Sequence, residues 1–408
     1  MSQLDKLINE LCPDGVEYVK LSDISSYSKI RISIDKLSKN NYISVENLLP
    51  DKAGKINATS VPRECNCIYY PVDTILIGNI RPYLRKIWIS DCEGGTNGDV
   101  LPIMIKDKNK MIPKFLFYIL SSENFFYYDI KHSKGAKMPR GDKTAIMNFF
   151  VPVPPLEVQR ETIRILDEYS EKVTALKHEL EKELDLRKKQ YSYYRDMLLT
   201  FGDDVEWKTL GEIAEVTDYV ANGSFASLKE NVTYKHNPDY AVLIRTVDFS
   251  TKFDSEKMIY IDEKAYNFLE KSRLFGGEII INNIGAGVGN SFICPNLEIK
   301  MCLAPNAVML KTDNNKFYFY WLNSKYGKIA LSKIISKSAM PKFNKTGLRS
   351  ILIPVPPIEE QERIVKILDR FDTLCNDLTS GIPAEISARQ KQYEYYRDKL
   401  LTFKILLN

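Results

Sequence analysis

An α+β protein of two pseudosymmetric units, joined by two long antiparallel helices that form a coiled coil, is the architecture this sequence predicts. Three observations carry it. One helical segment is written twice, two stretches of mixed strand and helix character alternate with it, and the apolar residues of each helical copy recur at coiled-coil spacing.

The duplication covers residues 151–201 and 353–403. The first copy opens VPVPPLEVQRETIRILDEYSEKV and closes QYSYYRDMLLTF; the second opens IPVPPIEEQERIVKILDRFDTLC and closes QYEYYRDKLLTF. The offset is 202 positions at both ends, so aligning the copies needs no gap. Two copies this far apart indicate two-fold pseudosymmetry, because a solenoid needs three or more short repeats.

Each copy has a fixed start. Pro152, Pro154 and Pro155 cannot lie inside a helix and push their predecessors to extended geometry. A helix can therefore begin near Leu156, with Glu157 and Glu161 near its positive end. Leu166, Tyr169, Val173, Leu176 and Leu180 form a seam, continued after a shift by Leu184, Tyr191, Tyr194 and Leu198. The second copy supplies Leu368, Phe371, Cys375, Leu378, Ile382, Ile386, Tyr393, Tyr396 and Leu400. About forty residues make a rod of roughly 60 Å, and a seam of this kind needs a partner helix. The other copy is the nearest partner. Gly381-Ile382-Pro383 interrupts the second copy, which predicts a break near Ser380 and a new segment opened by Pro383.

The chain of 408 residues carries a net charge of +4 and 27% charged residues, a balance that by itself selects no partner. The opening MSQLDKLINEL has no basic-then-apolar signal pattern, and no apolar run approaches the length of a membrane span. Seven cysteines include Cys65-x-Cys67, which has no second pair or nearby histidine to complete a metal site. Reduced thiols and a cytoplasmic location are expected, with no membrane association.

Residues 2–11 read as a short amphipathic helix with Leu4, Leu7, Ile8 and Leu11 on one side. It resembles a displaced end of a long helix, which would let the two halves close into a ring-like whole. Val16-Glu17-Tyr18-Val19-Lys20-Leu21 then returns as Val205-Glu206-Trp207-Lys208-Thr209-Leu210, so a domain opens near residue 16 and again near residue 205. The resulting division is 1–150, a first α+β unit with its short helix; 151–201, the first helical repeat; 202–352, the second unit; and 353–408, the second repeat. Each unit is expected to be a strongly twisted sheet with a few helices. Residues 73–80 and 277–284 read as buried strands running to an Asn-Ile tip. Residues 114–118 and 316–320 correspond, as do Met138-Pro139 and Met340-Pro341. The units diverge where Arg81-Pro82-Tyr83-Leu84-Arg85-Lys86 faces Gly285-Ala286-Gly287-Val288-Gly289-Asn290, so one scaffold carries different loops.

Several motifs look chemical and fail on context. The glycines at 285, 287 and 289 follow a strand, but the next residues read as a returning strand, where a dinucleotide site requires a helix. They predict a hairpin tip. Asn237-Pro238-Asp239-Tyr240 approaches the adenine-holding motif of amino-methyltransferases, with the wrong third residue; a loop turn is expected. His132, His178 and His236 are the three histidines, and no nucleophilic or metal constellation can be assembled around them. The chain is read as non-catalytic.

Basic clustering is the positive signal. Residues 324–350 carry Lys325, Lys328, Lys333, Lys337, Lys342, Lys345 and Arg349 with no acidic residue. The matching stretch of the first unit holds Lys131, Lys134, Lys137, Arg140 and Lys143 against Asp129 and Asp142. Interleaved serine, threonine and asparagine suit contacts to phosphates and base edges.

Taken together, the paired VPVPPLEVQ and IPVPPIEEQ openings, the paired QYxYYRDxLLTF closings, and ANGSFASLK (221–229) with IRTVDF (244–249) resemble the DNA-specificity subunit of a type I restriction–modification enzyme. The resemblance covers essentially the whole chain. It implies that each unit reads one half of a split, asymmetric sequence in double-stranded DNA, and that the helices fix the spacer between the halves. It further implies two methyltransferase subunits on the helical repeats and restriction (translocase–nuclease) subunits beyond them. S-adenosylmethionine, ATP and Mg would then reside on those partners and no cofactor on this chain. Candidate DNA-binding residues are Arg31, Asn79, Arg81, Arg85, Lys137 and Arg140 in the first unit. In the second they are Asn222, Ser224, Lys229, Arg245, Thr246, Asn283, Lys337 and Lys342. A coiled-coil adaptor that binds protein without DNA specificity, and a stand-alone methyltransferase or nuclease, are the other classes left open.

Overall fold

The structure, a computed structural model, describes residues 2–62, 66–377 and 379–406. Cys65 of the Cys-x-Cys pair and Leu378 of the second seam lie outside the described residues. The first helical repeat is a single helix, Leu156–Leu198, of 43 residues, which at 1.5 Å per residue spans about 65 Å. It begins where the proline series ends, immediately after the strand Phe150–Pro152. The second repeat is divided as its glycine and proline predict, into Ile358–Asn376 and Ile382–Leu400. Asp377 caps the break by accepting from Thr379 N–H and the Thr379 and Ser380 hydroxyls. A Cβ at Gly381 would lie 2.4 Å from the Thr373 carbonyl oxygen, so only glycine fits the turn.

By contacts the chain divides into two units. One comprises the chain up to Leu180 together with the segment from Glu385 onward; the other is Glu181–Ala384. The division therefore crosses the long helices. Within the first unit Tyr169 packs against Tyr393 and Tyr396 at ring-centroid distances of 5.6 and 6.1 Å. Within the second, Tyr191 and Tyr194 stack on Phe371 at 6.2 and 5.7 Å. Partners run in opposite order along the two repeats, as antiparallel helices require. The expected seam is weaker in its middle: between residues 174 and 186 only Lys177, Leu180 and Leu184 are even half-buried, and Leu176 is exposed. Charged residues dominate that stretch, so solvent holds it better than a partner would.

Both units repeat one topology. In the first, four strands pair in the order Ser25–Tyr27, Val100–Ile105, Ile75–Gly78, Ile87–Ile89. In the second the order is Glu215–Asp218, Ala307–Lys311, Ile279–Asn282, Ser291–Ile293. The inner strand is buried on both faces, because alternate side chains serve different cores. Ile75 and Ile77 join the helix-side core while Leu76 joins a smaller one; Ile279 and Ile281 against Ile280 repeat the pattern. The single sheet expected per unit is corrected to three small ones. A second sheet (Tyr42–Ile43, Gly94–Thr96, Ile68–Tyr70, or its four-stranded counterpart) covers the other face, and a two-stranded pair sits at the root. The strands are too short and too often broken by turns to continue as one surface.

The root pairs explain the repeated opening phrase. Val19 pairs with Val151, and Trp207 with Pro354, so each unit's first strand is bound to the strand entering its helical repeat. In the first unit the short helix Gln3–Leu11 packs Leu4 into the same core as Leu401 and Phe403, and Val16 bridges to Ile405. Leu7 and Ile8 pack partly against that core, whereas Leu11 is exposed, contrary to its expected place on the buried side. Cys12, Cys92, Cys294, Cys302 and Cys375 are free thiols as expected, while Cys67 is disulfide-bonded, against expectation.

One polar clasp recurs at the offset of the repeat. In the first unit Tyr118 Oη donates to Asp167 Oδ1, and Lys114 Nζ donates to Asp167 Oδ2 at 2.7 Å. In the second, Tyr320 Oη and Lys316 Nζ meet Asp369 in the same way at 2.7 and 2.6 Å. Burial, then the hydrogen bond to the aspartate, pushes both phenols well above the ordinary tyrosine range. Asp398 and Asp196 accept from the backbone N–H groups of Glu123 and Lys325 at the starts of two further helices. Removing the carboxylate in Asp369→Ala leaves a buried hydroxyl unpaired and is expected to destabilise the second unit by about 1–3 kcal/mol. In chemical denaturation, Tyr320→Phe combined with Asp369→Ala should cost less than the sum of the single changes. Strict additivity would show that the clasp contributes nothing.

Candidate nucleic-acid interface

The candidate interface lies at the tips of the inner strands. In the first unit, Asn79 follows Ile75–Gly78 and donates its N–H to Asp99 O at 2.8 Å. The basic loop then crosses this tip: Arg81 N–H donates to Pro139 O at 2.7 Å and Gly141 N–H to Asn79 O at 3.0 Å. Lys134 and Arg140 exchange two backbone hydrogen bonds that close the loop. The second unit has the same junction. Asn283 N–H donates to Asn306 O, Gly285 N–H to Pro341 O, Phe343 N–H to Asn283 O, and Ser336 N–H to Lys342 O.

Two groups of expected residues are thereby brought together. Asn79, Arg81, Lys137 and Arg140 meet in the first unit, and Asn283, Lys337 and Lys342 in the second, with Lys229 lining a hollow beside Asn283. Arg81, Lys137, Lys229, Lys337 and Lys342 form no ion pair among the described residues, which leaves their charge free for phosphate or base edges. Arg140 Nη2 lies 3.1 Å from Asp99 Oδ1. Arg81 sits at φ 54°, a left-handed conformation that costs a side chain on the order of 1 kcal/mol. The second unit places Gly285 at the same junction. The first unit thus holds an exposed arginine in a strained conformation where the second holds glycine.

Other expected residues stand apart from the two junctions. Arg31 Nη1 donates to Asn66 O at 2.7 Å beside a separate hollow. Arg85 Nη2 lies 2.8 Å from Glu123 Oε2. Arg245 is locked to the fully buried Asp248, with Nη2 2.5 Å from its Oδ1, and also donates to Lys257 O. Thr246 opens the helix Thr246–Ser250, and Ser224 caps Phe225–Asn231 by accepting from Ser227 N–H. Asn222 spends its amide on Tyr219 O, Ser272 Oγ and Lys271 N–H.

Beside each strand tip lies a hollow of about 500 Å³. The first unit's is lined by Ser44, Asn47, Thr59, Arg81, Lys86 and Asp99. The second unit's is lined by Tyr219, Phe225, Leu228, Lys229, Tyr234 and Asn283. Lys86, Asp99, Phe225 and Tyr234 went unnamed in the sequence as site residues. Phe225 had a signal, as the one aromatic within ANGSFASLK, and Lys86 ends the divergent 81–86 stretch; Tyr234 follows five residues after Lys229, and Asp99 comes from a distant segment that carried no signal. The glycine series at 285–289 forms the predicted hairpin between Ile279–Asn282 and Ser291–Ile293, and residues 237–240 form a loop. Among the described residues no group of three or more His, Cys, Asp and Glu could hold a metal ion, and no helix is long and apolar enough to cross a membrane.

The profile of the type I restriction modification DNA specificity domain matches residues 13–186 and again 202–388. The specificity subunit of the type I restriction enzyme EcoR124I/EcoR124II of Escherichia coli is 30% identical over 419 residues, covering 99% of this chain and 97% of that one. A putative type I restriction enzyme specificity subunit of Haemophilus influenzae is 30% identical across 74% of each chain. Among solved structures, a chain from a study of assembly and conformational transition of the type I R-M system superposes with a TM-score of 0.66 at 18% identity, covering 95% of this chain and 97% of that one. The HsdS subunit of Thermoanaerobacter tengcongensis gives 0.52 at 18% identity, with coverage of 96% and 97%.

Asp129 lies under the first junction and is almost wholly buried, with neither carboxylate oxygen hydrogen-bonded. It shares that state with Asn79 Oδ1, and a Cβ at Gly141 would stand 2.6 Å from the Asp129 oxygen and 2.9 Å from the Asn79 oxygen. Burial pushes the Asp129 carboxyl up to about 6, against a smaller opposing effect of His132. Its folded pKa thus exceeds the unfolded value of about 3.9. The folded state holds the extra proton between those values, so stability falls as pH rises from about 4 through 6. Asp129→Asn should remove that slope and add on the order of 1–3 kcal/mol at pH 7.5. Urea unfolding at pH 5 and 7.5 checks it; identical pH slopes in both proteins would contradict it.

Proposed function

The chain belongs to the family of type I restriction–modification DNA-specificity subunits, and from that premise we propose how its residues divide the work. Each unit reads one half of a split, asymmetric DNA sequence at its strand-tip junction. The observation that carries this is the junction itself: the same backbone crossing occurs twice, and each crossing presents different side chains. Arg81 is the guanine reader of the first unit, since a guanidinium spans guanine O6 and N7. Asn283 reads adenine in the second, and Lys137, Lys337 and Lys342 hold phosphates on either side. Arg140 assists Arg81, oriented by Asp99, and Lys229 borders the base edge. Arg31 reaches a phosphate outside the junction. Arg85, Asn222, Ser224, Arg245 and Thr246 position the loops that carry the readers, through Glu123, Ser272, Ser227 and Asp248.

The long helices set the unread spacer, because two half-sites must present the same groove face about a helical turn or a multiple apart. Their exposed sides dock two methyltransferase subunits, and restriction (translocase–nuclease) subunits join that assembly. S-adenosylmethionine, ATP and Mg belong to those partners. The chain itself supplies address and assembly without catalysis, in the cytoplasm.

Adenine-methylation mapping of host DNA, with the chain present and deleted, tests the reading at its root. Loss of one gapped, two-part methylated motif on deletion is expected; an unchanged pattern would remove the address role and favour the adaptor. In the assembled methyltransferase, Arg81→Ala should relax one base position at a cost of about 1–3 kcal/mol. Lys337→Ala should weaken all sequences alike and reduce the salt slope by about one. Arg245→Ala should leave the motif intact and lower the melting temperature.

A further inference from the structure

We infer that the aromatic hollow of the second unit reads thymine, taking the C5-methyl group of an A·T pair from the major groove. The inference rests on the DNA-reading function proposed above and specifies the chemistry of one half-site.

Three apolar side chains stand exposed around this one hollow. Phe225 is 82% exposed, Tyr234 50% and Val220 41%, while Leu228 and Val232 beneath them are buried. Phe225 has no aromatic partner among the described residues, so the core does not explain its position. Clustered exposed apolar surface of this kind marks a contact site. Its surroundings select the occupant. Lys229 stands on the wall, and Lys342 lies on the loop crossing Asn283. Asp218 also lines the hollow, but its carboxylate is paired with Lys345 Nζ at 2.8 Å. A cationic rim around a neutral apolar floor suits phosphates outside and an apolar base edge within. In the major groove of DNA the one apolar group is the thymine methyl. Asn283 lines the same hollow with its Oδ1 buried and unpartnered, so the side chain must turn outward to meet the adenine of the same pair. The first unit's hollow, of like volume, offers hydroxyl, amide and charged groups instead. It serves as an internal control.

The test uses the full chain assembled with its methyltransferase subunits on DNA carrying the mapped target. Each thymine is replaced singly by deoxyuridine, which removes the methyl and keeps the pairing. Arg81→Ala identifies the first half-site, and the other belongs to the second unit. At one or more thymines of that second half-site, deoxyuridine should weaken binding roughly three- to tenfold, the range for losing one apolar group. Phe225→Ala should show the same loss on thymine DNA and no further loss on deoxyuridine. Because Phe225 is exposed, its removal leaves the core intact.

Three results overturn the inference while leaving the DNA-reading function standing. They are a second half-site without thymine, full affinity for every deoxyuridine substitution, or a methyl effect that persists unchanged in Phe225→Ala. A base extruded into the hollow would give the second result, together with a rise in 2-aminopurine fluorescence. Absence of any sequence preference in the unaltered assembly would instead sink the function on which the inference rests.

Discussion

A single aspartate in each helical repeat, Asp167 or Asp369, holds a recognition unit to its helix. It accepts from a buried tyrosine hydroxyl and from a lysine on the same α-helix of the unit, so one side chain fixes both the distance and the rotation of that helix. The tyrosine is buried whereas the lysine and the carboxylate reach the surface, so the directional bond from the phenol restrains the helix more than the exposed ion pair does. Gln159 and Gln361 add a second anchor by donating to Pro154 O and Pro356 O, which ties each helix start to the extended chain that feeds it. Asp196 and Asp398 cap helices of the units from the far ends of the repeats. Packing alone would permit sliding along an apolar face. These polar contacts do not.

With the base fixed, the variable parts can vary. The strand tips Asn79 and Asn283 are held by equivalent backbone bonds, and the crossing loops close on themselves through main-chain atoms. None of those bonds depends on a particular side chain, so the loop residues are free to differ in chemistry. Arg81 in a left-handed conformation against Gly285, a polar hollow against an aromatic one, and Asp129 where the second unit has the buried Leu331 are the results. Two different surfaces on one backbone plan are what an asymmetric target requires.

Where chain-local chemistry decides, the sequence was legible. Proline fixed the start of Leu156–Leu198 and the break before Ile382–Leu400, because a missing N–H and a ring clash act within one turn. The glycine series made a hairpin because the following residues could pair back as a strand. The duplicated phrases marked where each unit opens but not the pairing of Tyr18–Lys20 with Phe150–Pro152 or of Glu206–Thr209 with Leu352–Val355, since pairing and register are properties of two distant segments. The seam was overdrawn at Leu176, where periodicity alone could not register how charged the neighbouring faces are.

The sequence by itself determined the duplication, the helical repeats, the two-unit plan and the family, because each is written in contiguous residues at a constant offset. Tertiary structure alone decided which candidates share a site. Arg245 and Arg81 look alike in sequence, yet one is locked to a buried aspartate and the other stands free at a strand tip. Lysines and arginines are identified by spelling, whereas their freedom to bind DNA depends on which carboxylates the fold brings within hydrogen-bonding reach. The aromatic hollow has the same origin: Tyr219, Phe225, Tyr234 and Asn283 meet only because strands and loops from three stretches of chain converge on one tip.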